Sequence, residues 1–131
     1  MVYVPPFDFI KEVANVTSIN GQPYASVSYQ ELKDIIKLFL RSVPVDDPWY
    51  RAQHKDVAHA IESGNYQSAK HHFVEEGYFE GRLPCSLRID EAWYIRNNPD
   101  VAEGLKFGVI KSAMEHYKSH GYIEGRLPFE V

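Results

Sequence analysis

Residues 49–84 and 93–128 of this chain are two copies of one unit, and this constrains the fold more than any other feature of the sequence. An offset of 44 residues, from Trp49 to Trp93, aligns them without a gap. Trp49-Tyr50 returns as Trp93-Tyr94, Asp56-Val57-Ala58 as Asp100-Val101-Ala102, Gly64 as Gly108, and Ser68-Ala69 as Ser112-Ala113. His72 returns as His116, Gly77-Tyr78 as Gly121-Tyr122, and Glu80-Gly81-Arg82-Leu83-Pro84 as Glu124-Gly125-Arg126-Leu127-Pro128. These are 16 identities in 36 positions, where unrelated residues of average composition would give about 2. A repeat of this period is one supersecondary unit used twice.

Local signals divide each copy into three short helices. In the second copy, Asp90 is placed to cap a helix carrying Trp93, Tyr94 and Ile95. That helix must stop near Asn97, because the residue before Pro99 is pushed out of the α region. Asn98 is expected to cap the next helix, with Pro99 at its first position and Asp100 facing the positive end of its dipole. Gly108 ends it. A third helix is expected from about Val109 to His120, with Ile110, Ala113, Met114 and Tyr117 on one face and Gly121 as a left-handed cap. The first copy follows the same logic from Asp46-Asp47-Pro48, although Lys55 stands where Pro99 does.

Residues 1–45 are different in kind. Phe9, Ile10, Val13 and Ala14 are helically spaced, and Asn20-Gly21 between two Val/Thr/Ile/Tyr-containing stretches signals a small β-hairpin. Ser28 and Glu31 then form a capping box ahead of an apolar stripe of Leu32, Ile35, Ile36, Phe39, Leu40 and Val43. The stripe either packs onto the repeats or pairs with a second copy across a two-fold axis. The expected architecture is mainly α. It comprises an N-terminal segment (1–45) with a short hairpin and an amphipathic dimer or partner helix, then one repeat at 46–88 and another at 89–131.

The second copy resembles a short bacterial helical repeat with the pattern Tyr…Asn-Pro-Asp-Val-Ala…His-Tyr…Gly…Glu-Gly-Arg. The matching residues are Tyr94, Asn98-Pro99-Asp100-Val101-Ala102, Gly108, Ala113, His116-Tyr117, Gly121, Glu124-Gly125-Arg126 and Pro128. Such repeats are found in or beside glycosyltransferases, polysaccharide-biosynthesis proteins and some large repeat-containing surface proteins. The resemblance covers about residues 47–128 and none of 1–45, and the first copy departs from it at Lys55 and Phe73. It implies a non-catalytic accessory module near glycan-handling machinery and carries no reaction with it.

The chemistry-bearing residues each have a structural and a functional reading. Arg82 and Arg126 are expected to fold back onto the carbonyls ending the third helix, or to present forks to a carboxylate, phosphate or uronic acid. Trp49 and Trp93 are expected to fill the core between helices, or to form a sugar-stacking platform. Asp56 and Asp100 are helix N-terminal charges. His116 and His120 are spaced i, i+4, and His72 with Glu76 occupies the same two places, but no further ligands are evident and no metal or cofactor is expected. His72 and His116 remain candidate binding residues.

No phosphate-binding glycine loop, Gly-x-Ser-x-Gly elbow or activated cysteine is present, so no catalytic residue is assigned. A small enzyme of unknown type, its site assembled only in space, is the second alternative. Fourteen basic against eighteen acidic residues, a net charge of −4, weigh against nucleic-acid binding. The apolar run near residues 35–40 is interrupted by Lys37 and is too short for a membrane span. One cysteine and an N-terminus without signal-peptide order point to the cytoplasm. The sequence thus favours a non-enzymatic protein-interaction scaffold, homodimeric through residues 1–45 and associated with bacterial polysaccharide or glycosyltransferase machinery. Direct carbohydrate binding is the principal alternative.

Overall fold

The computed structural model describes residues 2–131; Met1 lies outside the described residues. It is a mainly helical chain with an N-terminal antiparallel hairpin, and its contacts group into two units, 1–85 and 86–131. Each unit closes its own core.

In the first unit, helix α1 (Phe7–Val13) leads into strands β1 (Thr17–Ile19) and β2 (Gln22–Tyr24), paired in the register Thr17 to Tyr24 and Ile19 to Gln22. Asn20 at φ 51° and Gly21 at φ 77° make the two-residue turn, so the expected hairpin forms where Asn-Gly signalled it. Helix α2 (Tyr29–Leu40) begins at the expected capping box: the Ser28 hydroxyl accepts from the Glu31 amide at 3.1 Å, and Glu31 accepts from the Ser28 amide at 3.2 Å. Replacing Ser28 by alanine is expected to cost about 1 kcal/mol, read as a lower midpoint in urea unfolding.

The apolar stripe of α2 divides between two environments. Leu40 is buried and Ile36 packs beside it in a core shared with Tyr50, Val57, Ala69, Phe73 and Val74, whereas Leu32 and Phe39 stay nearly half exposed at 44% and 46%. Two polar links hold α2 down, Lys37 to Glu75 at 3.0 Å and the Lys33 ammonium over the Phe79 ring at 4.8 Å.

The repeat follows as α3 (Asp47–Gln53), α4 (Lys55–Glu62) and α5 (Ala69–His72), which widens into a π turn at Phe73–Gly77. The second unit repeats this plan with α6 (Glu91–Asn97), α7 (Pro99–Lys106), α8 (Ala113–His116) and a π turn at Tyr117–Gly121. Asp46 and Asp90 cap their helices as expected, accepting from the Trp49 and Trp93 amides at 3.1 and 3.0 Å. The bend between first and second helices falls at His54 (φ −127°, ψ 81°) and at Asn98 (φ −132°, ψ 81°). It is equally sharp in the copy that has Lys55 instead of proline.

Three expectations are corrected. The third helix starts at Ala113 rather than Val109, because the Ser112 hydroxyl caps it by accepting from the Glu115 amide at 3.0 Å. Ile110 therefore lies in the preceding loop, packed against the core beside Gly104. Gly121 is a buried member of the π turn, and the left-handed glycine is Gly125 at φ 76°, as Gly81 is at φ 80° in the first copy. Asn98 does not cap α7 with its side chain; its amide donates to the Tyr94 carbonyl at 2.7 Å.

Each unit is finally closed by its terminal proline. The Asp46 amide donates to the Pro84 carbonyl at 2.9 Å, and the Asp90 amide to the Pro128 carbonyl at 3.0 Å. Among the described residues no helix is long and apolar enough to cross a membrane.

Candidate functional site

The residues that recur in both copies meet in one polar cluster per unit. Its centre is the tyrosine of the first helix, Tyr50 or Tyr94, fully buried at 0% exposure in each case. Burial would leave the phenol hydroxyl unsatisfied unless it found a partner inside. The partner is the histidine of the third helix: Tyr50 shares a hydrogen bond with His72 Nδ1 at 2.8 Å, and Tyr94 with His116 Nδ1 at 2.9 Å. Desolvation is the main reason that Tyr50 is pushed up to about 12, and Tyr94 is raised for the same reason.

The approach is made possible by Gly77 and Gly121. A Cβ on either would collide with the tyrosine hydroxyl. This explains why the glycine recurs inside the π turn, where it adopts no left-handed conformation.

Burial also pushes the His72 imidazole below its ordinary value, with the Arg82 charge acting in the same direction. His72 is thus a neutral ring at neutral pH, and its Nε2 faces Glu80 Oε1 at 3.5 Å. The same oxygen takes Arg82 Nε at 3.3 Å.

Arg82 does not turn onto the helix carbonyls, as the spacing suggested. Its two terminal nitrogens donate to Asp56 at 3.1 and 2.9 Å, and Arg126 grips Asp100 at 2.8 and 2.7 Å. The closing loop is thereby tied to the start of the second helix, a fork-to-fork pairing that a carboxylate at a helix N-terminus suits doubly. Arg126 also donates to Asn98 Oδ1 at 2.9 Å and to Glu124 at 2.6 Å. His54 replaces Asn98 in the first copy, and its Nε2 is buried without a hydrogen-bond partner there.

Hydrogen bonds from the arginines hold Asp56 and Asp100 down at about 2, from an ordinary 3.8, against a smaller opposing effect of burial. A carboxylate depressed in the folded state contributes stability that is complete above its unfolded value and fades as pH falls through the folded one. Each pair should therefore lose its contribution between about pH 4 and pH 2. Asp100→Asn is expected to flatten the acid slope of stability in that window. Urea unfolding at a series of pH values checks this, and an unchanged slope would contradict it.

Trp49 and Trp93 are half-buried, Trp49 against the core of its unit. His116 and His120 stack at 5.6 Å, with His120 Nδ1 occupied by the Ser119 hydroxyl at 2.8 Å.

The first unit goes further. His72, Glu76 and Glu80 bring three donor atoms within 4.8 Å of one another. Sequence reasoning paired His72 with Glu76 but missed Glu80, which lay beyond the expected helix end. The i, i+4, i+8 spacing was a usable signal, because the helical path continues past Gly77 through a Glu80 amide to Glu76 carbonyl bond of 3.0 Å.

Comparison with protein-family models, curated proteins and solved structures finds no match to this chain.

Proposed function

We propose that this chain is a non-enzymatic scaffold module that assembles with a second copy of itself and docks a protein of bacterial polysaccharide or glycosyltransferase machinery in the cytoplasm. The observation that carries this reading is how the recurring polar residues are spent. Tyr50, His72, Asp56 and Arg82, like Tyr94, His116, Asp100 and Arg126, are satisfied by one another within their own units. These pairings tie the helices of each unit together.

The apolar surface left over in residues 1–45 is organised. Leu32, Ile35 and Phe39 follow i, i+3, i+7 spacing on α2 after Ile36 and Leu40 have turned to the core. Phe9, Val13, Ile35 and Leu38 line an adjoining groove between α1 and α2. An exposed apolar stripe along one helix suits two-fold packing against its own copy. Lone, exposed Cys85 fits a reducing compartment, and the glycan setting rests on the resemblance of the repeat.

Sedimentation equilibrium should give a dimer, and the double variant Leu32→Asp/Phe39→Asp should sediment as a helical monomer. Pull-down from source cells should recover a glycan-handling protein with the parent chain. A strict monomer that recovers no such partner would overturn the proposal.

A further inference from the structure

The His72, Glu76 and Glu80 cluster has more structure than its role in the polar network requires. Glu80 is accounted for by Arg82, but nothing in that network calls for Glu76, four residues on from His72, to bring its carboxylate to the same point. We propose that these three side chains form a binding site for a divalent transition-metal cation, in the first place Zn2+.

Geometry supports this. Tetrahedral ligation with metal–ligand bonds of roughly 2.0–2.1 Å separates the ligand atoms by about 3.3–3.4 Å. The edge from His72 Nε2 to Glu80 Oε1 is already 3.5 Å, and the donor atoms that the three side chains offer lie within 4.8 Å of one another. One imidazole and two carboxylates are borderline and hard donors that suit Zn2+. Mg2+ and Ca2+ are held by oxygen ligands, so the imidazole nitrogen favours a transition-metal ion over them. The fourth position is left to water.

The surrounding groups are those a ligand set needs. With a cation on Nε2, the imidazole carries its proton on Nδ1 and donates to the Tyr50 oxygen, now 2.8 Å away, which fixes the ring orientation. The Tyr66 ring meets the His72 imidazole edge-on at a centroid distance of 4.8 Å and helps to hold it in place. The two carboxylates match the charge of the ion. The neighbouring Arg82 is already balanced by both oxygens of Asp56.

The second copy supplies an internal control. Its equivalent positions also carry donors, His116, His120 and Glu124, but they do not converge. The His120 ring stacks on His116 with its Nδ1 held by Ser119, and Glu124 is drawn to Arg126 Nε at 2.6 Å. The site therefore belongs to the first unit, at one ion per chain.

The test uses the chelator-stripped full chain at neutral pH, titrated with Zn2+ in a calorimeter and with Co2+ by its visible ligand-field absorption. Expected are one equivalent of each ion, and Zn2+ affinity at least about tenfold weaker in Glu76→Gln and in Glu80→Gln. His120→Ala should bind as the parent does. Glu76 is exposed, so its variant should keep the parent's circular dichroism while losing affinity, which a merely structural role would not produce. Absence of binding at millimolar Co2+, affinity indifferent to both glutamate variants, or loss of the ion in His120→Ala would each overturn the site.

Discussion

Replacing Tyr50 by alanine is expected to destabilise the first unit by about 4 kcal/mol, the largest single-residue effect in the chain. Tyr50 is wholly buried, and its ring meets His54, His72 and Phe73 at centroid distances of 4.7, 5.9 and 6.2 Å. Truncation removes those contacts and leaves a cavity that helices held at both ends cannot collapse into. It also strips His72 Nδ1 of its hydrogen-bond partner, and an unpaired buried polar atom adds about 1–3 kcal/mol where no water replaces it. Urea unfolding followed by circular dichroism reads the sum. Tyr50→Phe separates the two contributions, since it keeps the ring and removes only the hydroxyl, and it should cost about 1–2 kcal/mol. If the alanine and phenylalanine variants unfolded at the same midpoint, packing would not be what Tyr50 contributes.

Gly77→Ala is the second large effect, an expected loss of about 3 kcal/mol from adding one methyl group. The new Cβ would meet the Tyr50 hydroxyl, with His72 Nδ1 a further 3.3 Å contact. Neither neighbour can yield cheaply, because one is enclosed in the core and the other is bonded to it. Gly121→Ala should behave alike, meeting Tyr94 and also Tyr117 at 2.9 Å. By contrast, Gly81 and Gly125 have open space where a Cβ would sit, and only their left-handed backbone resists substitution. Alanine there should cost about 1 kcal/mol. The order Gly77 over Gly81 in urea midpoints is the discriminating observation, and the reverse order would show that backbone conformation, not the tyrosine, explains the π-turn glycine.

The repeated glycines illustrate how much was legible in the chain. Recurrence alone marked Gly77 and Gly121 as constrained, and helix-capping chemistry offered an ordinary reason that proved wrong. The true constraint comes from a hydroxyl 27 residues earlier, as from Tyr50 to Gly77, and no local rule contains it. Arg82 and Arg126 were likewise marked by recurrence. Their partners, Asp56 and Asp100, lie 26 residues away in sequence and were read only through the helix dipole. Within the candidate metal site, His72 and Glu76 were visible as an i, i+4 pair. Glu80 was hidden by the assumption that a glycine ends a helix.

By itself the sequence determined the periodic plan: two copies of three helices, the Asp46, Ser28 and Asp90 caps, the Asn20-Gly21 hairpin turn and the amphipathic face of α2. These follow from hydrogen bonds and steric limits acting over about four residues, which a local reading captures. Only the tertiary structure decided which recurring residues answer each other. It also decided that the third helix opens into a π turn around a tyrosine hydroxyl, and that α2 turns Ile36 and Leu40 inward while leaving Leu32 and Phe39 outside. Those outcomes depend on burial, where a polar atom must find its partner wherever the chain happens to bring one, and the partner's distance in sequence is no guide to it.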